Sequence, residues 1–169
     1  MKPRIALTAG DPAGIGPEIV PLSLRDLEGE ARIVVLGPDA VRPDWVPRVD
    51  GPDEVGANGR PDVGWIATEG PDTWSLGEVQ ASCGAAAVAA LRAGHELATA
   101  GAVDALVTGP VNKAAMHAAG TRVEGQTELL SRWCDVDRYE MIGIAGSLRV
   151  MLATRHMPLR EALNRITFD

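Results

Sequence analysis

The sequence predicts an α/β protein with a mostly parallel sheet flanked by helices. Three observations predict it. Short apolar runs that stop at Gly or Gly-Pro alternate with longer segments of helical spacing. Aromatic residues make up only 4% of the 169, so the core is built from Ala, Val, Leu and Ile, which suits helices packed closely on a sheet. Gly 19 and Pro 12 make tight turns frequent.

The elements follow in order. Ile5–Thr8 reads as a first buried strand, stopped by the breaker cluster Ala9–Gly14. A helix then starts near Pro17, where proline suits the first helical position and Glu18 suits the positive helix end, and runs to about Leu27. Arg32–Gly37 is a second strand, so a β-α-β unit with a right-handed crossover is expected. Residues 38–77 carry recurrent prolines and read as a loop-rich insertion, a small β element or a flap, with a short strand near Val63–Ile66. An Ala-rich helix spans Val79 to about Ala100, and Asp104–Gly109 is a third strand ending in a turn. Helices are expected at Asn112–Ala119, stopped by Gly120, and at Glu128–Trp133. Glu140–Ala145 and Arg149–Ala153 are two strands joined by Gly146-Ser147, and Pro158 opens a last helix to about Ile166. Residues 1–169 are expected to be one domain of ordinary size, or half of a larger enzyme.

Composition excludes several classes. Sixteen Lys+Arg against 23 Asp+Glu give a formal net charge of −7 with no basic run, a poor nucleic-acid surface. No stretch approaches the roughly 20 apolar residues that cross a bilayer. The start, Met1-Lys2-Pro3-Arg4, lacks the apolar region of a signal peptide. Cys83 and Cys134 make no disulfide scaffold and no Cys-x-x-Cys pair, so a cytoplasmic location is expected.

Ligands of open α/β sheets bind beyond the carboxyl ends of the strands. Four such segments here carry polar or Gly-rich chemistry: Gly10–Glu18, Thr108–Lys113, Gly125–Glu128 and Ala153–Leu159. Gly10–Glu18 is neither a P-loop nor a dinucleotide fingerprint, since no Gly-Lys-Ser/Thr closes it and Ile19 stands where a third small residue belongs. It is either a tight turn or a place where backbone N–H groups approach a ligand. Asp11 faces the cleft or does not, with no assigned task. Lys113 is a surface lysine or meets a phosphate or carboxylate. Thr127 caps the following helix or binds a ligand with its hydroxyl. His95 and His117 read as structural, whereas His156 follows an apolar strand. One histidine cannot hold a metal alone, because a site needs about three or four ligands.

These four motifs, GDPAGIGPE, TGPVNK, GQTE and ATRHMPL, occur in the order seen in the 4-hydroxythreonine-4-phosphate dehydrogenase family of vitamin B6 biosynthesis, whose N-terminal half the chain resembles. The resemblance implies a fold like the isocitrate and isopropylmalate dehydrogenases, with two lobes, and a homodimer. It implies oxidation of 4-phosphooxy-L-threonine by NAD or NADP, assisted by a divalent metal (zinc, magnesium or cobalt), to a β-keto acid that decarboxylates. Thr127 matches the family's substrate-binding Thr, and His156 matches the first of three metal-binding histidines. Gln126 stands where the family has a substrate-binding His; it is neutral but can still hydrogen-bond a ligand. The other two metal-binding histidines have no counterpart, since the chain stops at Asp169. Two alternatives stay open: a related dehydrogenase for another hydroxy acid or a cis-dihydrodiol carboxylate, and a truncated, non-catalytic product.

Overall fold

In the computed structural model, residues 2–154 and 157–167 are described. Four strands form one sheet: β1 (Arg4–Thr8), β2 (Arg32–Gly37), β3 (Val63–Ala67) and β4 (Ala105–Val107). Their order is β3-β2-β1-β4 and every pairing is parallel. After β1 the chain moves outward through β2 and β3, then returns to place β4 on the other side of β1. The direction of winding therefore reverses between β1 and β4. In open α/β sheets that reversal opens the ligand crevice.

Helix α1 (Gly16–Asp26) connects β1 to β2, and α2 (Ala81–Thr99) connects β3 to β4. The strands alternate their side chains between two layers. One face buries Ile33, Val35 and Trp65 with Val20 and Leu24 of α1. The other buries Ala6, Val34 and Leu36 with Ala90 of α2. The buried residues of α2 recur at Cys83, Ala86, Ala87, Ala90, Leu91 and Gly94, the helical spacing expected. Gly94 lets the helix lie against the sheet, since a Cβ there would sit 2.5 Å from Leu106 Cδ1. This helix begins at Ala81 rather than Val79 because Gln80 folds back on Ser75: Nε2 donates to Ser75 O at 2.8 Å and Oε1 accepts from Ser75 N at 3.2 Å.

The stretch 38–77 holds two short 3-10 turns, Asp39–Val41 and Pro52–Glu54, and β3. The sequence reading made its strand part of a separate insertion. Instead β3 extends the main sheet, and residues 47–49 run along its outer edge: Trp65 N donates to Pro47 O (2.8 Å) and Val49 N to Trp65 O (3.0 Å). The edge is thereby covered.

Asp39 holds that border in place. Its Oδ1 accepts from Arg48 Nε (2.6 Å) and Arg42 Nε (2.9 Å). The Arg48 hydrogen bond is the main reason its pKa falls from 3.8 to about 2; partial burial opposes it and Arg42 helps. A depressed carboxylate pKa stabilises the fold above the unfolded value and ceases to as pH falls through the folded one. The stability difference between wild type and Asp39→Asn is therefore expected to hold from neutrality to roughly pH 4 and to vanish near pH 2. Urea denaturation across that range measures it. Because the side chain is 33% exposed, added salt should shrink the difference.

Helix α3 (Lys113–Ala118) follows β4, and α4 (Gln126–Trp133) follows α3. The chain divides into two compact units, Met1–Leu130 and Ser131–Asp169. In the second unit, β5 (Ile142–Ala145) and β6 (Leu148–Met151) pair antiparallel, and α5 spans Leu159–Arg165. The alternation of strands with helices thus ends at α4. Gly146-Ser147 is too short for a crossover, so the two strands close as a hairpin around Gly146 at φ 59°. No helix among the described residues is long and apolar enough to cross a membrane.

Candidate functional site

The site begins where β1 ends. Thr8 is 1% exposed, and its Oγ1 accepts from Gly109 N at 2.9 Å, just past β4. Gly109 N also approaches Thr8 O at 3.1 Å. Next, Asp11 N donates to Pro110 O at 3.0 Å. The loops after β1 and β4 are thus tied together at the reversal point. Glycine is required at both. Gly10 has φ +77° and a Cβ there would meet Pro110 O at 2.3 Å; one on Gly109 would meet Thr8 O at 2.4 Å.

Asp11 now has a task, which the sequence reading left open. It is 3% exposed, and its Oδ1 accepts from Ala13 N at 2.8 Å while its carbonyl accepts from Gly14 N at 3.0 Å. It shapes the Gly-rich loop as an Asx turn, a signal already present in the order Asp-Pro-Ala-Gly. Cys83 lies fully buried near it; desolvation first, then the Asp11 charge, push its thiol pKa up. Burial and the raised pKa both favour the thiol over the reactive thiolate.

Gln126 is brought directly to this junction. Its Nε2 donates to Gly109 O at 3.1 Å, while its Oε1 is buried without a hydrogen-bond partner among the described residues. A buried side-chain acceptor left without a partner is uncommon in folded proteins. The helix starts two residues earlier than expected, at Gln126, with Leu129 N donating to Gly125 O at 3.3 Å. Thr127 therefore lies inside the first turn, exposed, rather than capping it. First-turn N–H groups lack helical acceptors and favour anions.

Lys113 opens α3, where Asn112 Oδ1 caps the helix by accepting from Ala115 N at 3.2 Å. Its side chain runs past Gly125, since a Cβ there would lie 3.7 Å from Lys113 Cε. Among the described residues no ion pair takes up Lys113. The Glu128 carboxylate flanks the same glycine, its Oε2 3.2 Å from that built Cβ, so a cation and an acid border the first turn of α4, whose N–H groups remain the donors suited to an anion.

Three of the four sequence motifs converge within the first unit. The fourth, Ala153–Leu159, belongs to the second unit, and its His156 lies outside the described residues. Among the described residues no group of three His, Cys, Asp or Glu could hold a metal ion. His117 Nε2 lies 2.7 Å from Val123 O, a structural contact as expected. The described residues therefore do not complete the implied metal site.

Comparison with known proteins fits this geometry. The family model described as pyridoxal phosphate biosynthetic protein PdxA matches residues 46–169. D-threonate 4-phosphate dehydrogenase of Bordetella bronchiseptica is 36% identical over 97% of this chain and 50% of its own length. 4-Hydroxythreonine-4-phosphate dehydrogenase of Nostoc sp. is 34% identical over 98% of this chain and 49% of its own. The crystal structure of 4-hydroxythreonine-4-phosphate dehydrogenase from Klebsiella pneumoniae superposes with a TM-score of 0.83 at 36% identity, covering 97% of this chain and 53% of that one. The chain thus spans about half the length of the curated relatives it matches. On its fold, its ordered motifs and these matches, the chain belongs to the pyridoxal phosphate biosynthetic protein PdxA family.

Proposed function

We propose that this chain forms the N-terminal half of a cytoplasmic, homodimeric dehydrogenase and holds a phosphorylated hydroxy acid at the ends of β1 and β4. One observation carries the reading: the Gln126 Nε2 bond to Gly109 O sets the first turn of α4, with Thr127, at the reversal point near Lys113. Lys113, the Thr127 hydroxyl and the α4 N–H groups would hold an anionic group of the substrate, and Gln126 Oε1 would accept a hydrogen bond from its hydroxyl or ammonium. The substrate is 4-phosphooxy-L-threonine, whose alcohol is oxidised with NAD or NADP as acceptor to a β-keto acid that decarboxylates. A divalent metal (zinc, magnesium or cobalt) lowers the alcohol pKa in such reactions. His156 would supply one ligand, with the remaining ligands coming from outside the described residues.

A second reading has its own support. D-threonate 4-phosphate would be the substrate, because one relative bears that name at 36% identity and Gln126 replaces the histidine that the motif resemblance leads one to expect. Gln126→His is expected to shift preference toward 4-phosphooxy-L-threonine, read as the ratio of kcat/KM for the two acids. An unchanged ratio would remove Gln126 as the discriminating residue.

Because the chain spans about half of its relatives' length, the test is reduction of NAD or NADP by this chain joined to the C-terminal half of a full-length relative, with each acid and a divalent metal, repeated with a chelator and with His156→Ala. Turnover of 4-phosphooxy-L-threonine, lost with the chelator and in the variant, is the expected result. The reverse preference would establish the second reading. Turnover of neither acid would remove both readings for this chain.

A further inference from the structure

Resting on the reading of Gln126 as a ligand contact, we infer that the Thr8 hydroxyl is a positioning group: it pins Gly109, whose carbonyl in turn holds the Gln126 amide at the strand ends. The two contacts meet on one residue. Gly109 N is held by Thr8 Oγ1 at 2.9 Å and Gly109 O by Gln126 Nε2 at 3.1 Å. Thr8 and Gly109 are 101 positions apart in sequence, so the hydroxyl joins the first strand to the loop that receives α4. A glycine has no side chain to restrict its backbone, and its orientation is set by whatever bonds its N–H and C=O. Here a side chain is also excluded, because its Cβ would strike Thr8 O.

The backbone bond to Thr8 O, 3.1 Å long, would survive loss of the hydroxyl. The hydroxyl is therefore not needed to satisfy the Gly109 N–H, and what it adds is direction. The methyl of the same side chain points elsewhere: Thr8 Cγ2 lies 3.6 Å from a Cβ built on Gly94 of α2. The two halves of the Thr8 side chain thus have separable duties, packing for the methyl and alignment for the hydroxyl. Thr8→Val keeps the shape and the methyl and removes the hydroxyl. Thr8→Ser does the opposite.

The experiment follows the side-chain amide resonances of Gln126 in ¹⁵N-labelled full chain without ligand, assigned by their loss in Gln126→Glu. In Thr8→Val they are expected to move toward free-glutamine positions, while Thr8→Ser retains the wild-type positions. Unchanged resonances in Thr8→Val would overturn the inference. So would an equal displacement in Thr8→Ser, which would assign the effect to packing. Should Thr8→Val fail to fold, Thr8→Ser decides alone: wild-type resonances support the inference and displaced ones overturn it. Because the readout needs no ligand, it can succeed where turnover fails, and a failed substrate assignment stays distinguishable from a failed positioning role.

Discussion

Gly10→Ala is expected to destabilise the protein by about 2–5 kcal/mol and to abolish ligand binding. Two costs combine. A non-glycine residue at positive φ costs roughly 1–2 kcal/mol, and Gly10 sits at φ +77°. A new Cβ would also lie 2.3 Å from Pro110 O, a backbone atom that can move only by parting the loops after β1 and β4. Overpacking of that kind costs about 1–3 kcal/mol. The clash breaks the Asp11–Pro110 bond and displaces the peptide that receives Gln126. Gly14→Ala in the same loop is the control. Its Cβ would lie 3.4 Å from Asp11 O, and the residue has no positive φ, so little change is expected. Urea denaturation of the two variants separates strain at Gly10 from a general sensitivity of the loop.

Trp65→Ala is expected to cost about 3–5 kcal/mol, the usual loss for a large aromatic removed from a core. Trp65 is 1% exposed and its Nε1 donates to Gly37 O at 3.0 Å. Its ring fills the space above Gly37, where a Cβ would come within 3.0 Å of Cζ2 and 2.7 Å of the Ala9 methyl. The tryptophan therefore supports the end of β2 and the start of the Gly-rich loop together. Trp65→Phe keeps most of the packing. Gly37 O still accepts from Thr68 N at 2.9 Å, so that variant should lose only about 1 kcal/mol beyond the packing change. Since small domains are stable by about 5–15 kcal/mol, Trp65→Ala should visibly lower the melting temperature and Trp65→Phe much less.

The fold was legible where hydrophobic runs met hard punctuation. Arg32–Gly37 was read with its true limits because Gly-Pro stops it, and the helix expected at Asn112–Ala119 lies at Lys113–Ala118, one residue shorter at each end, because Asn112 caps it and Gly120 follows it. The strand at Val63–Ala67 was seen but not its place in the sheet, because pairing partners are set by non-local contacts that local pattern does not encode. The helix start at Gln126 was missed for a related reason. Thr127 has the chemistry of a cap, and only the contact of Gln126 with Gly109, a residue 17 positions away, draws the helix back by two residues. In the site, the glycines and Lys113 were visible as candidates. The task of Thr8 was not, since a threonine closing an apolar strand looks like any β-branched strand residue.

The central claim is that the ends of β1 and β4, with the first turn of α4, bind a phosphorylated hydroxy acid. Calorimetric titration of the purified chain with 4-phosphooxy-L-threonine and with D-threonate 4-phosphate tests it most directly, alongside Lys113→Met and Thr127→Val. The account predicts saturable binding of at least one of the two acids, weakened on the order of tenfold by each substitution, as expected for loss of one bond to a charged group. Failure of the chain to bind either acid, or binding that neither substitution changes, would contradict it.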